Sequence, residues 1–128
     1  EEAGAPSARY STSCVLGPDD SLYMFGGDDG GHKKSMHNYI FRSWFDELWR
    51  LDLQSFQWRL LQPIADLKPP KRALHAATVV GDSMFVYGGL DRSDLWCYSF
   101  SNNRWKELQA APAQQVAPLP GIRHALAA

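Results

Sequence analysis

The reading turns on Ser83-Met84-Phe85-Val86-Tyr87-Gly88-Gly89, a β-prone run that stops at a double glycine. Trp96 and Trp105 follow it. The same order stands earlier in the chain, as Ser21-Leu22-Tyr23-Met24-Phe25-Gly26-Gly27 and then Trp49 and Trp58. Both tryptophan pairs are nine residues apart. Alternating aromatic and β-branched residues read as strands, and paired glycines read as a place where the backbone needs positive φ or close approach.

Working outward, each copy resolves into four short strands. In the first, Arg9 to Leu16 is strand one, Gly17-Pro18-Asp19-Asp20 a turn, and Ser21 to Phe25 strand two. Strand three carries Leu48-Trp49-Arg50-Leu51-Asp52-Leu53, and strand four Trp58-Arg59-Leu60-Leu61. Alternation along strand three sets Trp49, Leu51 and Leu53 on one face, which is assigned to the core. The second copy runs Arg72 to Val80, Ser83 to Tyr87, Asp94 to Phe100 and Arg104 to Leu108. The predicted organisation is a flexible segment 1–7, a first unit 8–61, a proline-bearing linker 62–71, a second unit 72–108 and a second linker 109–121. Residues 122–128 set His124 on the position of His75 and read as the start of a third unit. The copies differ in one place. Gly27 to Trp49 is longer than Gly89 to Trp96 by 15 residues, which defines an insertion at 28–46.

Self-similarity at a period of about 50 residues, with four strands per unit, is the mark of a propeller blade. Here the chain resembles the kelch family. The resemblance rests on Arg72, His75, Gly88, Gly89, Asp94-Leu95-Trp96 and Trp105, and on Arg9, Gly26, Gly27, Leu48, Trp49 and Trp58. It implies an all-β protein of four-stranded antiparallel blades, here a partial propeller of two blades and the start of another. It also places the loops from strand two to three, and from strand four to the next blade, on one face that takes partner peptides in relatives. Gly26, Gly27, Trp49, Trp58, His75, Gly88, Gly89, Trp96 and Trp105 are assigned structural roles. Glu47 and Asp94 are expected to accept hydrogen bonds or pair with arginines.

Composition bounds the function. The 128 residues are 45% hydrophobic and 21% charged, with a net charge of −1. No overall field favours nucleic acid or a membrane surface. No apolar run reaches the roughly 20 residues that span a bilayer. The first residues resemble no signal peptide. Cys14 and Cys97 stand apart in strand-like contexts and are expected to be reduced and buried. The expected compartment is the cytoplasm, with the nucleus as an alternative.

The expected function is a protein-interaction module, within a scaffold or a substrate-recruiting adaptor of a ubiquitin ligase, with a protein or peptide as partner. His32, Lys33, Lys34, His37, Tyr39, Phe41, Arg42 and Trp44 of the insertion are the candidate contacts, together with Arg72 at the start of a blade. A metal set of Asp28, Asp29, His32 and His37 matches no strong spacing motif, and His75 has no nucleophile placed with it, so neither a catalytic residue nor a cofactor is assigned. Two alternatives stay open. One is a fragment of a metal-dependent kelch enzyme. The other is a structural blade pair that self-associates through exposed edges into a ring.

Overall fold

A computed structural model describes residues 2–30, 33–34, 40–41, 43–90 and 92–109, with backbone alone for 2–3, 33–34 and 40–41. The expected contacts His32, His37, Tyr39 and Arg42 lie outside the described residues, as do the second linker from 110 and the segment 122–128. Among the described residues every regular element is a strand.

The first sheet comprises β1 (Glu2–Gly4), β2 (Ser13–Leu16), β3 (Ser21–Phe25), β6 (Leu48–Asp52) and β7 (Trp58–Leu60), in the order β1-β7-β6-β3-β2. The second comprises β8 (Ala76–Val80), β9 (Ser83–Gly89), β10 (Arg92–Ser99) and β11 (Arg104–Gln109), in the order β11-β10-β9-β8. All pairings in both sheets are antiparallel. A separate hairpin, β4 (Lys33–Lys34) with β5 (Ile40–Phe41), lies within the insertion. Each sheet contains the four-stranded antiparallel unit expected from the repeat, β2, β3, β6 and β7 in the first and β8 to β11 in the second. The segment 1–7, read as a flexible tail, instead supplies a fifth strand that pairs Gly4 with Trp58 and Glu2 with Leu60.

Each double glycine ends its blade's second strand in left-handed geometry, with φ 71° and 110° at Gly26 and Gly27 and 66° and 119° at Gly88 and Gly89. A Cβ at Gly26 would stand 2.7 Å from the Arg72 carbonyl oxygen, and one at Gly89 2.8 Å from that of Ala73. The turn therefore needs glycine for its dihedrals and for the chain passing beside it. The first strands begin later than expected, at Ser13 and Ala76. Ser11 and Leu74 adopt φ 58° and 60° and bend the run that opens with Arg9 and Arg72.

The two sheets pack face to face. Tyr23, Phe25 and Leu48 come from the first, and Met84, Val86, Trp96, Tyr98 and Trp105 from the second. Phe25 lies between the Trp105 and His75 rings, at 5.1 and 5.6 Å. This corrects the face assigned on strand three. Leu48, 2% exposed, points into the core, whereas Leu53 is exposed. Trp49 is buried on the opposite face, near Gly4. Trp96 and Trp105 are core residues, and Trp58 is half-buried. Alternation separates two faces, but which one meets the neighbouring sheet depends on where that sheet lies. Both cysteines are free thiols, but Cys14 is exposed and Cys97 half-buried. Cys14 pairs across from Met24, on the side of the first sheet away from the core residues Tyr23 and Phe25.

Candidate functional site: the loop face beside the double glycines

The ends of strands two and three in each blade are held by one repeated device. In the second blade, Arg72 donates through Nη1 and Nη2 to the two carboxylate oxygens of Asp94, at 2.9 and 2.7 Å. Its Nη1 also reaches the Gly88 carbonyl at 3.0 Å, and its Nε the Pro70 carbonyl at 3.1 Å. The Trp96 indole donates to Asp94 at 2.8 Å. The first blade repeats the pattern in looser form. Arg9 donates to Glu47 at 3.0 Å, to the Gly26 carbonyl at 3.4 Å and to the Ser7 carbonyl at 3.1 Å, while Trp49 donates to Glu47 at 3.1 Å. Burial alone would raise the Asp94 pKa. Hydrogen bonds from Arg72, Arg92 and Trp96 outweigh it and hold the carboxyl well below the usual carboxylate range.

Arg72 is therefore not presented to a partner. Its side chain is 0% exposed and every nitrogen has a protein acceptor. A bidentate fork matched to a buried carboxylate is a structural use of arginine, and removing one member of such a pair costs about 3–5 kcal/mol.

His75 is internal as well. It is buried between the sheets, 2.8 Å from the Ser13 hydroxyl, and Ser13 lies 3.5 Å from the Phe25 carbonyl. This chain of donors fits a neutral imidazole protonated at Nε2. Nδ1 is buried with no partner among the described residues. Burial, and then the Arg72 charge, lower its pKa to about 4.

The base of the insertion is fixed to both blades. Phe45 N donates to the Gly27 carbonyl at 2.9 Å, Gly27 N to the Arg72 carbonyl at 2.9 Å, and Arg72 N to the Phe45 carbonyl at 3.2 Å. These three bonds close a ring among the insertion, the double glycine and the entry to the second blade. The Arg9 guanidinium lies 3.7 Å over the Phe45 ring. Asp28 bridges to Tyr10 and to Trp44, and Asp29 N donates to the Ser43 carbonyl. Beyond this base, Lys33 pairs with Phe41 and Lys34 with Ile40. Within the insertion, which joins β3 to β6, these two short strands therefore pair antiparallel. Trp44 sits half-buried at the foot of the insertion, with its indole nitrogen buried and unpartnered among the described residues.

The first linker is not a free loop. Lys68 pairs with Asp46 at 3.3 Å, and Ile64 N donates to the Asn103 carbonyl in the β10–β11 turn. Between linker and insertion base lies a cleft of about 180 Å³ bordered by Asp46, Glu47, Leu60, Pro63 and Lys68. Of the metal set drawn on the sequence, only Asp28 and Asp29 are described. No cluster of three metal-ligating side chains occurs among the described residues. Arg92, absent from the candidate contacts, is partly exposed and joins Arg72 on Asp94. For Arg92 the available signal was its place two residues before Asp94, on the same side of the strand.

These features define a kelch-type blade pair. The KLHDC2/KLHL20/DRC7 Kelch-repeats domain matches residues 2–128, and the chain belongs to the kelch-repeat family. It is 37% identical over 116 residues to Kelch domain-containing protein 2 of Bos taurus, covering 87% of this chain and 27% of the relative. It is 31% identical over 131 residues to Multiple epidermal growth factor-like domains protein 8 of Mus musculus, covering 96% of this chain and 4% of the relative. It is 30% identical over 132 residues to the Leucine-zipper-like transcriptional regulator 1 homolog of Drosophila melanogaster, covering 94% and 12%. The chain thus spans a small part of each of these relatives. Kelch-repeat domains are generally protein-interaction modules, and typically not enzymes. No helix among the described residues is long and apolar enough to cross a membrane.

Proposed function

We propose that this chain contributes the binding face of a protein-interaction module, with the insertion hairpin as its main contact element. The observation that carries this is the way the hairpin is mounted. A loop that merely joined two strands would need no ring of three backbone bonds, no stacked Arg9–Phe45 pair and no Asp46–Lys68 bridge at its foot. Rigid mounting lowers the ordering cost of presenting side chains to a partner. Lys33, Lys34 and Phe41 lie on the hairpin strands, and His32, His37, Tyr39 and Arg42 fall within the same insertion. Trp44, at the foot, completes the contact set. Arg72 is withdrawn from it. The partner is a protein or peptide, the setting a scaffold or substrate-recruiting adaptor, and the compartment the cytoplasm or nucleus.

Deleting residues 30–43 and joining the ends with a short glycine turn tests this. We expect loss of the partners captured by the intact chain in quantitative affinity capture. The unfolding midpoint should move by less than about 4 °C, because the core lies between the sheets and not under the hairpin. An unchanged partner set from the deleted protein would reject the proposal.

A further inference from the structure

The outer edge of the first sheet carries a strand from outside the four-stranded unit. β1 pairs antiparallel with β7 through three residues, Glu2 opposite Leu60, Ala3 opposite Arg59 and Gly4 opposite Trp58. An edge strand presents a row of unpaired backbone donors and acceptors, and β1 satisfies that row along β7. Gly4 also meets a ring. A Cβ there would stand 4.0 Å from the Trp49 indole, so a small residue closes against the tryptophan of the third strand.

The second blade repeats this edge without the strand. By the repeat, Trp105, Lys106 and Glu107 of β11 take the places of Trp58, Arg59 and Leu60 of β7. Among the described residues β11 pairs with β10 alone. Lys106 and Glu107 are exposed, whereas Trp105 is buried in the core. Trp96 stands where Trp49 stands, each with its indole on the carboxylate two residues before it. A charged side chain on an edge commonly deters strand addition. Here it does not, because Arg59 holds the place of Lys106 and Ala3 pairs across from it. Linker residues Gln62 and Ile64 bond the β10–β11 turn at Asn103, short of the β11 edge.

We infer that the β11 edge is a strand-addition site for an extended segment of a protein partner, with a basic, an acidic and a small residue in succession. The incoming strand runs antiparallel, as β1 does, and meets Glu107, Lys106 and Trp105 in turn. Cross-strand neighbours of opposite charge favour a basic residue opposite Glu107 and an acidic one opposite Lys106. A small residue opposite Trp105 lies against the Trp96 ring as Gly4 lies against Trp49. Lys-Glu-Gly meets all three conditions. The chain's own Glu2-Ala3-Gly4 does not, since it would set Glu2 against Glu107, which disfavours β1 of a second copy as the occupant. Main-chain bonds supply the affinity and the alternating side chains the selectivity. The surface uses no residue of the insertion, so it is a second contact and does not depend on the first.

The test uses the full 128-residue chain and two end-capped peptides, Thr-Lys-Glu-Gly-Thr and Thr-Glu-Lys-Gly-Thr, followed by amide hydrogen exchange and chemical-shift titration. In the free chain alternate amides of β11 face outward and should exchange quickly. Saturating Thr-Lys-Glu-Gly-Thr should slow them at least about tenfold. Methylating that peptide at alternate backbone nitrogens should abolish binding in one phase and spare it in the other, because only every second residue of a strand bonds a given neighbour. Thr-Glu-Lys-Gly-Thr should bind about fivefold more weakly, and the paired exchange Lys106→Glu with Glu107→Lys should reverse that preference at an unchanged unfolding midpoint. No protection of β11, equal binding of the two methylated phases, or a preference that survives the charge exchange would overturn the inference. So would outward amides that are already slow in the free chain. Protection independent of protein concentration would assign the edge to residues 110–128, and protection that grows with concentration would assign it to a second copy. If the inference falls while deletion of residues 30–43 still removes protein partners, the interaction-module reading stands without it.

Discussion

At the scale of single residues, His75 links packing to pH. Its imidazole is neutral in the fold because burial, and then Arg72, hold its pKa near 4, below the ordinary value of 6.5. Between these values the unfolded chain binds a proton that the folded chain does not. The stabilisation is therefore complete above about pH 6.5 and is lost as pH falls toward 4, to a total of about 3 kcal/mol. Urea titrations from pH 7 to pH 4 should show this slope in the native chain and a flatter one in His75→Gln. An equal slope in both would reject the assignment. Asp94, whose pKa is held low, acts in a separate window. Its contribution is present above the ordinary carboxylate range and is lost only as pH falls through that range and below it. Arg72 and Arg92 show why residue type alone does not name a contact. Both are bound to the Asp94 carboxylate, and they differ in burial, Arg72 being wholly internal and Arg92 partly exposed.

At the scale of elements, the double glycine is where the chain's crossings are decided. Gly26 combines φ 71° with a Cβ position 2.7 Å from the Arg72 carbonyl, a neighbour in the backbone of the other blade. Gly81, in the β8–β9 turn, has φ 59° but nothing within 4 Å of its Cβ position. Gly81→Ala should cost about 1 kcal/mol, from the dihedral alone. Gly26→Ala should cost at least about 2 kcal/mol more, because the ring that joins Gly27, Phe45 and Arg72 must open to admit a methyl group. Denaturation midpoints of the two variants, measured side by side, check the difference, and equal losses would show that the crossing is not the constraint. The four consecutive strands of each blade and the turns between them were legible in the residue pattern, whereas the edge strand β1 was not, because its short polar run shows no alternation. The strand starts at Ser13 and Ala76 were not, because left-handed Ser11 and Leu74 carry no glycine or asparagine to announce the bend. The hairpin inside the insertion was also missed, since its aromatic and basic residues follow no clear alternation.

At the scale of the whole molecule, the two blades share one core. Phe25 of the first is wholly buried against Trp105 and His75 of the second. Backbone bonds from Gly27 to Arg72 and from Leu74 to Ser11 cross the same boundary. Phe25→Ala should remove about 3–5 kcal/mol and lower the midpoint of a single transition, seen alike by circular dichroism and by tryptophan fluorescence. Two separated transitions would show that the blades fold independently.

The sequence by itself determined that this is a kelch protein, with four strands per unit, paired tryptophans, glycine-ended second strands and one long insertion. Those features are local and periodic, and they recur along the chain whatever its neighbours do. The tertiary structure alone decided which face of β6 is core, which arginine is buried and where the insertion is anchored. Each of these depends on contacts between segments far apart in the sequence: the second-blade rings that receive Phe25, the Asp94 carboxylate that claims Arg72 across its own blade, and the Arg72 carbonyl that closes the ring on Gly27.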